Sequence, residues 1–122
     1  MENRMTFEKR TIGGCTFEQS VASDAANGHF PPTNSTIKSV ADHEIGHMLD
    51  YHLDLHLDID VIQAYNDAIA KGMKQEVSGY AATSIQEFIA ECWAESCNNP
   101  APRAFAQKIA NIVRARYKAK YP

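Results

Sequence analysis

The chain has 122 residues with a formal net charge of −3. That length suits one domain, residues 1–122, able to bury a modest core without disulfides as staples. Its 44% hydrophobic and 22% charged residues exclude a disordered or low-complexity chain, and no apolar run approaches the roughly 20 residues that a bilayer demands.

The first residues, Met1 to Phe7, contain no apolar core of a secretory signal, which predicts a cytoplasmic protein. Three cysteines, Cys15, Cys92 and Cys97, cannot all pair within one chain and are expected as reduced thiols. Cys92 and Cys97 lack the usual C-x2-4-C spacing of a zinc pair.

Residues 5–12 alternate weakly and could form a short strand before Gly13-Gly14. Residues 16–27 fit a short helix with Thr16 as cap and Gly28 as stop. From Gly28 to Ser35 two prolines and cap-forming hydroxyls predict a loop. A helix is predicted from Ile37 to Leu53, capped by Ser35 or Thr36, and a second from Ile59 to Lys71, stopped by Gly72. Residues 73–83 read as a loop or short extended segment. A third helix runs from Ser84 to Cys97 and ends at Asn98-Asn99-Pro100. The last spans Pro102 to Lys120, with Pro102 as a first-turn proline and Phe105, Ile109, Ile112 and Val113 as an apolar stripe. The expected fold class is mainly α, or α+β with at most a small N-terminal sheet.

The charge is uneven. Six cations and no acids lie between Arg103 and Lys120, and four aspartates lie between Asp50 and Asp60. The basic run is read as a solvated helix face with cations near its C-terminus, not as a nucleic-acid surface.

The chemistry concentrates in His43-Glu44-Ile45-Gly46-His47, an H-E-x-x-H pattern. At about 100° per residue, His47 returns to within about 40° of His43, so two imidazoles can reach one ion. Glu44 projects beside that face, able to hold a metal-bound water. The competing account is a pair of surface histidines on an amphipathic helix. A zinc hydrolase needs a third protein ligand and one open position. Downstream, Glu87 and Glu91 lie one turn apart on one helix face. Glu87 could complete the ligand set, and Glu91 could accept a hydrogen bond from a ligand histidine. Alternatively, Ser84-x-x-Glu87 is a capping box, and Glu87 only bonds the helix start.

Asp50, three residues after His47, could orient a ligand imidazole or be an ordinary exposed aspartate. His52 and His56 fall off the ligand face, and His29 sits in the loop. Gly46 inside a helix costs about 1 kcal/mol relative to alanine, so another element is expected to pack closely against it. Trp93, Phe88 and Ile89 are expected in the core.

Taken together, His43-Glu-Ile-Gly-His47 and Tyr80-Ala-Ala-Thr-Ser-Ile-Gln-Glu87-Phe-Ile-Ala-Glu91 resemble the lethal-factor-like metallopeptidases of the gluzincin group. The chain resembles more closely the metallopeptidase-like domains of phage minor head (Mu F-type) proteins, through His29-Phe-Pro-Pro, the approach from Ile37 to His43, and Leu49-Asp50. The resemblance covers about residues 28–51 and 79–95. It implies a zincin-like domain whose metal-binding helix faces a glutamate-bearing helix. It implies Zn2+ on His43, His47 and Glu87, with Glu44 as general base, Tyr80 as a hydroxyl near the reacting carbonyl, and Glu91 behind a ligand. The implied substrate is a peptide or protein, a phage head protein among the candidates, in the host cytoplasm or on the virion; no membrane is involved. These peptidases carry a larger N-terminal sheet than the 36 residues before this metal-binding helix can build. A second expectation is therefore a catalytically weak or inactive phage or prophage structural protein, stabilised by its zinc.

Overall fold

A computed structural model describes residues 36–122 and the backbone of two short strands, β1 (Thr11–Ile12) and β2 (Cys15–Thr16). These pair antiparallel, Thr11 opposite Thr16 and Ile12 opposite Cys15. Thr16, the expected helix cap, thus lies in a strand. The rest of the predicted strand at 5–10, the predicted helix at 17–27 and the loop to Ser35 fall outside the described residues.

Among the described residues there are five helices, and the fold is mainly α: α1 (Ile37–Leu53), α2 (Ile59–Lys71), α3 (Met73–Glu76), α4 (Ile85–Asn98) and α5 (Ala104–Lys120). Two 3-10 turns, Leu55–Leu57 and Tyr80–Thr83, fill the connections. Helix α1 starts at Thr36, whose hydroxyl accepts from the Ser39 N–H at 3.1 Å while Ser39 Oγ accepts from the Thr36 N–H at 3.0 Å. Two orphan donors are satisfied reciprocally there, which fixes the phase of the helix that carries His43. Gly72 stops α2 at φ 102°, a left-handed conformation that only glycine adopts without strain.

Residues 73–83 differ from the expected loop, forming α3 and the turn that begins at Tyr80. Helix α5 starts two residues later than expected, leaving Pro102 ahead of the Arg103 cap.

Helix α4 is the centre of the molecule, lying along α1 on one side and against α5 and the Tyr80 turn on others. Its Phe88, Ile89 and Cys92 are buried with Val61, Ala64 and Ala68 of α2 and Phe105, Ile109 and Val113 of α5. Tyr65, Phe88 and Phe105 stack through this core at centroid separations of 5.4 and 6.4 Å. Trp93 is half-buried at the core's edge. Gly46 explains how α1 and α4 come so close: a Cβ there would stand 2.8 Å from Ala90 Cα. That contact brings the faces bearing His43 and Glu87 together. Among the described residues no helix is long and apolar enough to cross a membrane.

Candidate metal centre

Ser84 caps α4 by accepting the Glu87 N–H at 3.1 Å, so Glu87 occupies the first turn. The capping box does not close. Instead the two Glu87 oxygens reach across to α1, Oε2 to His43 Nε2 at 2.9 Å and Oε1 to His47 Nε2 at 3.0 Å. The two imidazoles meet edge-on with centroids 4.9 Å apart. One ligand atom from each of His43, His47 and Glu87 lies within 4.8 Å of the others, and among the described residues this is the one such group.

Behind His43 stands Glu91, 0% exposed, whose Oε2 lies 2.9 Å from His43 Nδ1. Its other oxygen, Oε1, accepts the Ser78 hydroxyl at 3.0 Å. The Tyr80 ring is tilted against His43 at a centroid distance of 5.8 Å. Glu44 lies half-buried between the two histidines in the α1 sequence.

The electrostatics of the cluster call for a proton or a metal ion between the histidines and the carboxylates. Burial by itself pushes the His43 imidazole down, but hydrogen bonds to Glu87 and Glu91 outweigh it and raise its pKa to about 9. Burial of Glu87 likewise pushes up, yet hydrogen bonds from His43 and His47 overcome it and hold the carboxyl at about 2. If His43 donates Nδ1–H to Glu91, its Nε2 lone pair faces the Glu87 carboxylate across 2.9 Å. Two acceptors at that distance need a proton or a metal between them. Two imidazoles and a carboxylate are the donor set of a three-ligand zinc centre, whose tetrahedron has ligand–ligand edges of about 3.3 Å. The residues can hold a metal ion, and its identity is taken up below.

Asp50 departs from the role expected beside a ligand. It is 4% exposed, and its Oδ1 takes the His56 N–H at 2.8 Å and His56 Nδ1 at 2.9 Å. It is therefore neither an exposed aspartate nor the orienter of His43 or His47. The reason is the left-handed turn at Asp54, φ 51°, which folds the chain back so that His56 arrives at Asp50. His52 is exposed, and the two thiols Cys92, buried, and Cys97, exposed, are free. His29 lies outside the described residues.

Sequence reasoning missed two features that shape the site. Ser78 is one; its only signal is a small hydroxyl two residues before Tyr80. The other is the fork between Arg103 and the buried Glu95, 2.6 Å at its shortest, from which Arg103 also donates to the Val77 carbonyl at 2.8 Å. That arginine ties the segment before Ser78 to the α4–α5 corner. The basic run is largely used internally. Arg116 pairs with Asp58 and Asp60 from the acidic stretch, Lys120 donates to the His52 carbonyl, and Arg114 lies over the Trp93 ring.

No family model matches the chain, and no curated protein or solved structure is significantly similar to it.

Proposed function

We propose that the chain is a zinc-dependent hydrolase of the gluzincin type, cutting peptide bonds. The observation that carries this is the convergence of His43 and His47 of α1 with Glu87 of α4, with a buried carboxylate behind one imidazole. Two nitrogens and one oxygen favour zinc over the all-oxygen sites of calcium or magnesium. A zinc ion held there would supply an acidified water and polarise the substrate carbonyl.

The chain's own residues do the rest. Glu91 holds the His43 ring by Nδ1, leaving Nε2 on the side of Glu87, where a metal would be held. Glu44 takes a proton from the attacking water and returns it to the leaving amine. The Tyr80 hydroxyl donates a hydrogen bond to the oxygen of the attacked carbonyl. The substrate is a peptide or protein, and the resemblance to phage minor head domains suggests a head protein and a virion-associated setting.

Elemental analysis tests the metal first: about one zinc per chain is expected, with marked loss in His43→Ala and Glu87→Ala. Screening of a peptide library then tests the reaction. Glu44→Gln is expected to keep zinc and lose about 10²–10⁴ in rate. Full activity in that variant with zinc bound would sink the mechanism.

One observation favours a second proposal. All three donors sit on α1 and α4, which already touch at Gly46 and Ala90, so an ion there also clamps the two central helices. In a zinc-stapled structural protein, Glu44→Gln would change nothing measurable, while zinc removal would lower the melting temperature.

A further inference from the structure

Ser78 is 1% exposed and lies in the connection between α3 and the 3-10 turn at Tyr80–Thr83. Its hydroxyl donates to Glu91 Oε1 at 3.0 Å and accepts the Ala81 N–H at 3.1 Å. The far oxygen of the same carboxylate, Oε2, meets His43 Nδ1 at 2.9 Å. One proton and the lone pairs of a single hydroxyl thus join two parts of the site: the carboxylate that orients a ligand imidazole, and the turn that presents Tyr80.

We propose that Ser78 is a positioning residue of the metal centre, setting the Glu91 carboxylate behind His43 and registering the Tyr80 turn against it. This rests on the metal-centre proposal above. A carboxylate buried this fully is held by the directions of its donors, because no solvent is present to let it rotate cheaply. The Ser78 hydroxyl supplies one of those directions. It comes from a segment that Arg103 in turn anchors through the Val77 carbonyl, so the hydroxyl's own position is fixed by a neighbouring bond. Removing it takes a donor from Glu91 and the acceptor from the Ala81 N–H, leaving helix α4 and both ligand histidines in sequence untouched.

The test uses the full chain and zinc alone, with affinity read by competition against a chromogenic chelator. Ser78→Ala is expected to weaken zinc binding about 10-fold, the low end of the loss for a group bonded directly to a ligand, because Ser78 acts on His43 through Glu91. Ser78→Thr, which keeps the hydroxyl, is expected to bind within about threefold of wild type by the same argument. The cobalt-substituted Ser78→Ala protein should show a shifted visible absorption band, since ligand geometry changes. Val61→Ala, a core change remote from the site, serves as control, with a lower melting temperature and unchanged affinity.

Wild-type affinity and an unshifted cobalt band in Ser78→Ala would overturn the proposal, whatever its melting temperature. Should Ser78→Ala not fold, Ser78→Cys carries the same comparison, being close in volume and a weaker donor. A wild type that takes up no zinc would overturn the metal centre itself, an outcome distinct from a zinc-loaded wild type matched by its Ser78 variants.

Discussion

His43 stands between two carboxylates, and this makes the metal-stripped protein sensitive to pH in a defined direction. Its pKa is raised from 6.5 to about 9, so the stability its proton contributes is fully present below about 6.5 and is lost as pH rises through about 9. Glu87 is lowered from 4.5 to about 2, so its contribution is present above about 4.5 and is lost as pH falls through about 2. After chelator treatment the melting temperature should be highest between about pH 4.5 and 6.5 and decline toward pH 9. His43→Ala should flatten the alkaline limb; an equally steep decline in that variant would assign the titration to another group. At the same scale, under the zinc proposal the ion would replace the shared proton, so zinc uptake near neutral pH should release protons in a lightly buffered titration.

Between elements, the contact that matters most is glycine against alanine. Gly46→Ala would gain about 1 kcal/mol of helix propensity. It would also drive a Cβ to 2.8 Å from the Ala90 Cα, a backbone atom that cannot swing aside. The steric term wins, and a net loss of about 1–3 kcal/mol is expected in urea denaturation. Because α1 and α4 must separate to relieve the clash, zinc affinity should fall as well. A Gly46→Ala protein as stable as wild type would mean that the helices slide apart without cost. Helix ends follow more local rules. Thr36, Gly72 and Ser84 act as caps or stops where their residue types place them, whereas Pro102 does not start α5. Glu95 draws the Arg103 N–H at 2.8 Å, and the helix begins after it.

Over the whole molecule, ion pairs tie the corners that the small core leaves. Glu95 is 1% exposed and is paired with Arg103, which also reaches the Gln75 and Val77 carbonyls. Arg103→Ala strands that carboxylate, and a cost of about 3 kcal/mol is expected, the low end for a broken buried pair because the arginine is half-exposed. The loss should appear in the denaturant midpoint, and Arg103→Ala with Glu95→Ala together should recover part of it. A single variant with an unchanged midpoint would contradict this account. If the proposed zinc site is right, zinc at 100 times its dissociation constant should add about 2.7 kcal/mol to folding, since the ligand set is assembled only in the folded chain.

How much of this was legible beforehand follows the range of the interactions. Helices at 37–53 and 59–71, a cap at Ser35 or Thr36 and the i, i+4 histidine pair depend on residues a few positions apart, and those the amino-acid order alone determined. The choice between Glu87 as helix cap and Glu87 facing two histidines was open in sequence, because both uses need the same residue at the same spacing. Tertiary packing decided it by bringing α4 against α1 at Gly46, 44 residues from one partner to the other. Asp50 was decided in the same way, by a left-handed turn at a non-glycine residue that no local pattern announced. Ser78 and Arg103 were not visible at all. Their partners, Glu91 and Val77, lie 13 and 26 residues away, and a hydroxyl or guanidinium carries no periodicity that would point to them.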